Sequence, residues 1–254
     1  MSTLVLTCID IFWSKMEKEK NCKIQPGQRR AWFKCVKTVL KLFIKKPRFV
    51  FLGEEFQDRA LILSNHVGAT GPLTLEMYFP KPFRFWGTYE MNSSVKEVYK
   101  YLSEIYFYQK KHWNKVLAKL FSLIAAPIAW LFYRGLTLIS TYRDHRFKNT
   151  LKESVRTLEH NASLIIFPED SSNGYFNTIT GFFSGFVTLA KYCHKKGFDL
   201  PIYLTYLRKK ERIYVIDKPI YYTELIATGL DKYQIAEYLR VRCNELGTMP
   251  LPPQ

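Results

Sequence analysis

The run Ala60-Leu61-Ile62-Leu63 is apolar without a break and stops abruptly at Ser64-Asn65-His66. So short a run, followed at once by polar and glycine-rich residues, predicts a fully buried strand rather than a helix. Ser163–Phe167 reads the same way, and Phe49–Gly53, Phe83–Gly87, Gly135–Ser140, Pro201–Tyr206 and Arg212–Ile216 are further expected strands. Between them, apolar residues recur at three- and four-residue steps, as with Leu151, Val155 and Leu158 within Lys148–His160, and Ile235, Tyr238, Leu239 and Val241 within Lys232–Leu246. Phe183–Cys193 is read as another helix. Strands alternating with helices place the chain in the α/β class.

Two further stretches are helical in pattern but carry a strong excess of lysine. In Gln28–Lys46, Trp32, Phe33, Val36, Val39, Leu40 and Phe43 form one stripe, while Arg30, Lys34, Lys37, Lys41 and Lys45 step along the other side. Lys46-Pro47 is expected to end this helix. Val95 to Phe132 reads as one long helical region, in which Lys110, Lys111, Lys115 and Lys119 precede the uncharged run Leu120–Phe132. That run is shorter than the roughly 20 residues a membrane span requires, and Pro127 is expected to kink it. Both stretches have two readings, packing on their own domain or lying on an anionic bilayer. The segment 3–13 is apolar but also too short to span.

The expected organisation is an N-terminal membrane-associating helical segment, 1–47, and an α/β domain, 48–254. With 254 residues, 47% of them hydrophobic, the chain can bury a continuous core. Its net charge of +16 calls for an anionic partner, either nucleic acid or lipid head groups. No zinc-finger spacing or aromatic ribonucleoprotein motif accompanies the charge, so nucleic acid is not the expected partner. Cys8, Cys22, Cys35, Cys193 and Cys243 are odd in number and scattered, which suits free thiols in a reducing compartment rather than a metal site.

His66 sits where a buried strand turns through Gly68 and Gly71 towards Pro72, which is expected to open a short helix. An imidazole at a strand-to-helix junction is placed to move a proton. Asn65-His66, together with Phe167-Pro168-Glu169 further on, resembles the paired blocks of the glycerolipid acyltransferases, the 1-acylglycerol-3-phosphate acyltransferase family. The blocks beginning at Gly135 and at Leu200-Pro201 resemble that family's remaining motifs, and all fall in the family's order. The resemblance implies a mixed, mostly parallel central sheet flanked by helices. It also implies acyl transfer from a thioester, carried by coenzyme A or acyl carrier protein, to a lipid or polyol hydroxyl at the cytoplasmic face of a membrane, peripheral or monotopic, with His66 as general base.

The sequence departs from the family pattern at two points. The Asp expected after the histidine is Gly71, and the Gly-Thr-Arg after Phe-Pro-Glu is Asp170-Ser171-Ser172. Another carboxylate is then needed to orient the imidazole. Glu76 on the next helix is the first choice, with Asp144, Glu169 and Asp170 as others. A backbone carbonyl or a water is the alternative orienting group, and a fold kept for lipid binding without turnover is the third reading. The resemblance places Asn65, Phe167, Pro168, Glu169, Asp170, Ser171 and Arg143 at the substrate. With no guanidinium expected near Glu169 and Asp170, a neutral hydroxyl acceptor is favoured over a phosphate dianion. No metal is expected.

Overall fold

A computed structural model describes residues 25–172, 174, 176 and 178–251. The expected apolar segment 3–13, Cys8 and Cys22 lie outside the described residues.

Helix α1 (Ala31–Leu40) leads into strand β1 (Arg48–Phe51) and then β2 (Leu61–Ser64). Helix α2 (Thr70–Tyr78), strand β3 (Phe83–Thr88) and two short helices, α3 (Tyr89–Asn92) and α4 (Val95–Lys100), follow. A π-helical segment (Tyr101–Lys110) and the long helix α5 (Lys115–Leu136) precede strand β4 (Ile139–Thr141), helix α6 (Phe147–Glu159) and strand β5 (Ser163–Ile166). The chain closes with α7 (Gly185–Lys195), β6 (Pro201–Arg208), β7 (Ile213–Ile216), β8 (Ile220–Tyr221), α8 (Tyr222–Ala227) and α9 (Lys232–Thr248).

The strands form one mixed sheet in the order β1-β7-β6-β2-β5-β3-β4, with β8 also paired to β6. Among the described strands the β6–β7 and β6–β8 pairs are antiparallel and the other pairs are parallel. The α/β class and the mostly parallel sheet flanked by helices are thus as expected.

Alternation along each strand divides the core into two layers. Leu61, Leu63, Leu164, Ile166, Ile202 and Leu204 meet α6, α7 and α9 through Leu158, Leu189 and Leu239. Ile62, Ile165, Tyr203 and Tyr214 face the other way, against Trp32 and Phe33 of α1 and Leu75 of α2. With helices on both faces, β2 and β5 have no wet side, which is why their sequences are continuously apolar. Each such side chain contributes about 1.5–3 kcal/mol by leaving water.

The boundaries correct the sequence reading in several places. Gly135 does not begin a strand; it lies in the last turn of α5, which ends with Thr137 in the left-handed region at φ 52°. A Cβ at Gly135 would come within 2.0 Å of the Phe33 ring, so the glycine is required for α1 and α5 to approach. The stretch 95–132 is not one helix. Within the π-helical segment and its end the ladder widens, with Lys111 N–H donating to Tyr106 O at 3.0 Å, and His112 at φ 55° breaks the chain direction before Asn114 caps α5. Helix α1 is shorter than the expected 28–46, because Lys41–Ile44 form tight turns after Leu40. Its first half is core, while Val39, Leu42 and Phe43 are exposed. Strand β8 and helix α8 were not foreseen.

Candidate functional site

Strands β2 and β5 are neighbours, and their register pairs Leu63 with Ile166. Their carboxyl ends are therefore level, and Asn65-His66 comes to lie beside Phe167-Pro168-Glu169, although a long stretch of sequence separates them. The crevice beyond the carboxyl ends of parallel strands is where α/β sheets place ligands.

His66 is held from three sides. Its backbone N–H donates to Glu169 Oε2 at 3.0 Å, its ring lies 4.8 Å from the Phe167 ring, and its Nδ1 meets Gly68 O at 2.6 Å. A carbonyl can only accept, so Nδ1 carries the proton, and in the neutral ring Nε2 holds the basic lone pair. The turn that makes this contact bends through Val67 at φ 47° and Gly68 at φ 62°. A β-branched residue in that region is strained, on the order of 1–3 kcal/mol.

Burial pushes the His66 pKa down to about 4; the Gly68 contact opposes this, and the charge of Lys110 adds to it. The ring is therefore neutral at pH 7. If the ring acts as a base, activity should stay level as pH falls through 6.5 and decline only with an acid limb near 4, read in a rate profile against pH. The sign for stability follows from the same shift. Between 6.5 and about 4 the unfolded chain binds a proton that the folded chain does not, so stability falls as pH drops through that window.

The carboxylate expected to orient the ring is elsewhere. Glu76 is buried, and Arg29 grips both its oxygens, Nε to Oε1 at 2.9 Å and Nη2 to Oε2 at 2.7 Å, while Lys37 Nζ lies 2.9 Å from Oε1. Three cationic contacts on one buried carboxylate make it the centre of an ion cluster that ties the chain before α1 to α2. The Asp144 carboxylate is engaged by Arg146 at 2.7 Å. The orienting group on Nδ1 is the Gly68 carbonyl, the alternative that the sequence left open.

The packing around Gly71 leaves no room for a side chain such as Asp. A Cβ at that position would come within 2.5 Å of His66 O and 3.1 Å of Asn65 O, so the first turn of α2 sits directly against the backbone of the loop. Pro72 costs this helix nothing, since the first N–H groups of a helix have no internal partner. Restoring the motif with Gly71→Asp is expected to lower stability by about 1–3 kcal/mol without raising any activity, measured by thermal denaturation.

Asn65 also has a different role from the expected one. Its Nδ2 donates to Leu207 O at 3.2 Å and its Oδ1 accepts from Leu207 N–H at 2.7 Å. The buried amide extends the link between β2 and β6 past Ser64 and so fixes the backbone that carries His66.

The second block lines the other wall. Phe167 stacks on Phe85 at 5.8 Å, and Pro168 O accepts from Phe183 N–H at 2.8 Å. Asp170 N–H donates to Gly181 O at 2.9 Å, and its carboxylate accepts from the Ser172 hydroxyl. Burial raises the Glu169 pKa, against the His66 N–H bond and Lys110, which lower it. Asp170 is held low, first by the Ser172 bond and also by Arg143 and Lys110. Arg143 is exposed, with its guanidinium 5.2 Å from the centre of the Phe183 ring.

Lys110 was missed as a site residue. The end of the π-helical segment brings its Nζ to 2.6 Å from Ser171 Oγ. In sequence it belongs to a lysine cluster assigned to the membrane face, and only the shift of register made by the π-helical turns would have separated it. The sequence reading expected no guanidinium near Glu169 and Asp170; the Lys110 ammonium acts on both carboxylates, and the charge of Arg143 also reaches Asp170. Among the described residues no group of His, Cys, Asp and Glu is arranged to hold a metal ion.

No protein-family model and no curated protein matches the chain.

Proposed function

We propose that this chain is an O-acyltransferase that moves a fatty acyl group from a thioester of coenzyme A or acyl carrier protein to a hydroxyl of a glycerolipid, lysolipid or polyol. The observation that carries this reading is the meeting of His66 with Phe167 and Glu169 at the carboxyl ends of adjacent parallel strands. Nε2 of the neutral ring takes the acceptor's hydroxyl proton as the oxygen attacks the thioester carbonyl. The tetrahedral intermediate collapses with loss of the C–S bond, and the departing thiolate recovers the proton from the imidazolium.

The environment sets limits on this chemistry. The Gly68 carbonyl fixes the tautomer but stabilises the imidazolium less than a carboxylate does, and Lys110 disfavours it further. Turnover is accordingly slow. Lys110 and Arg143 moderate the negative field of Glu169 and Asp170, so an acceptor bearing an anionic group is admitted beside a neutral one. A neutral carbonyl as the group orienting Nδ1 also suits a second reading, lipid binding without turnover.

The test is to incubate purified protein with acyl-labelled thioester and a panel of lysolipid and polyol acceptors. The expected product is a labelled ester that depends on the wild-type His66. If no acceptor is esterified while lysolipids still bind, the second reading replaces the first.

A further inference from the structure

Helix α5 turns an apolar face outwards that nothing in the described protein covers. Val116, Leu117, Leu120, Phe121, Leu123, Ile124 and Ile128 are all exposed, several by more than half, with Ile124 at 72% and Ile128 at 67%. At 100° per residue they fall on one side of the helix, together with Pro127, and the patch extends for about 18 Å at 1.5 Å per residue. Isolated exposed apolar residues are ordinary, but a contiguous strip of this size marks a contact surface.

The opposite side of α5 is fastened along its length. Ala118 and Ala126 are buried in a cluster with Val98, Tyr101, Leu102 and Phe107. At the border of the strip the half-exposed Phe121 packs edge-on against Phe107 and Trp113, and near the far end Trp130 Nε1–H donates to Ser93 O at 2.9 Å. The helix has 22 residues and is apolar enough to cross a bilayer, which corrects the expectation drawn from the shorter uncharged run. A helix bonded at both ends to its own domain nevertheless cannot leave it to span a membrane without losing that packing. It can lie flat.

We propose that α5 docks this protein in the plane of an anionic bilayer, with the strip from Val116 to Ile128 sunk among the acyl chains. The occupant follows from charge. The helix contains no Asp or Glu, Lys115 and Lys119 flank the strip at one end with the exposed Lys111 just before them, and Arg134 stands at the other. Among the described residues Lys115 and Lys119 have no ion-pair partner within the protein. Cations ringing an apolar strip match the phosphate layer around exposed hydrocarbon. The proposal deepens the acyl-transfer reading and rests on it for the purpose of docking, which is to bring the site to lipid substrates.

The test uses the full chain with vesicles of phosphatidylcholine alone or mixed with phosphatidylglycerol. The wild type should sediment with mixed vesicles, less with the neutral ones, and less as salt rises. The Ile124→Glu, Ile128→Glu double variant should lose binding by at least about tenfold, since two large side chains no longer enter hydrocarbon. Both positions are exposed, so folding is spared. Hydroxyl-radical footprinting should oxidise Leu117, Leu120 and Ile124 without lipid and find them protected with it. Equal sedimentation of variant and wild type would overturn the proposal. So would protection of the strip in lipid-free buffer, which would mean that residues 1–24 or a second copy of the chain cover it. A His66→Ala protein that binds vesicles normally while no form transfers acyl groups would sink the acyl-transfer reading alone and leave docking standing.

Discussion

Replacing His66 by alanine is expected to lower acyl transfer by about 10²–10⁴-fold, the usual contribution of a positioned general base. The loss should fall on kcat, because the ring contributes a proton-accepting nitrogen rather than a binding surface. Stability should change little: the position keeps its backbone bond to Glu169, and the ring's contacts with Phe167 and Gly68 are those of a half-buried side chain. The acid limb near pH 4 should vanish from whatever residual rate remains, since the titrating group is gone. Single-turnover measurement with labelled thioester separates this from an effect on donor binding. An alanine variant as fast as wild type would remove His66 from the chemistry.

Glu76→Leu is expected to cost about 3–5 kcal/mol of folding stability, because it leaves the Arg29 guanidinium buried with its principal counter-charge removed. Arg29 also donates to Phe83 O at 3.1 Å, so it is not free to swing out to water. Lys37 is more exposed and can resolvate. For a domain of this size the loss corresponds to a fall in Tm on the order of 10 °C, read by calorimetry or circular dichroism. Adding Arg29→Met to Glu76→Leu should recover much of it, since removing both charges of a buried pair is commonly near neutral where removing one is not. If the single substitution were as mild as the double, the cluster would not hold α2 in place. Had Glu76 instead been the orienting group of His66, its loss would lower kcat with stability spared, so the two roles separate in one pair of measurements.

These two residues also show what could be read from the sequence and what could not. His66 was legible because the strand before it is buried on both faces, and such a strand advertises its end by the sudden change to polar residues. Glu76 was misassigned because its position on α2 says nothing of Arg29, which reaches it from the chain before α1. Asn65 was read as a substrate residue because its pairing with Leu207 depends on register in β6, which no local pattern encodes. Gly135 sits in an apolar stretch that suits a strand or the end of a helix, and only contact with Phe33 decides between them. Lys110 was hidden among the neighbouring lysines Lys111, Lys115 and Lys119, since the expected α-helical spacing does not survive the wider π-helical turns.

The clasp between Asn65 and Leu207 bears on the order in which the molecule comes together during synthesis. Every wall of the crevice near His66 through Ser171 has already left the ribosome before the segment that fixes the histidine loop is made. Until β6 arrives and pairs with the Asn65 amide, the loop that carries His66 lacks its anchor to that strand, and the candidate site is unfinished. The candidate site is thus completed only when nearly the whole fold exists to shelter it.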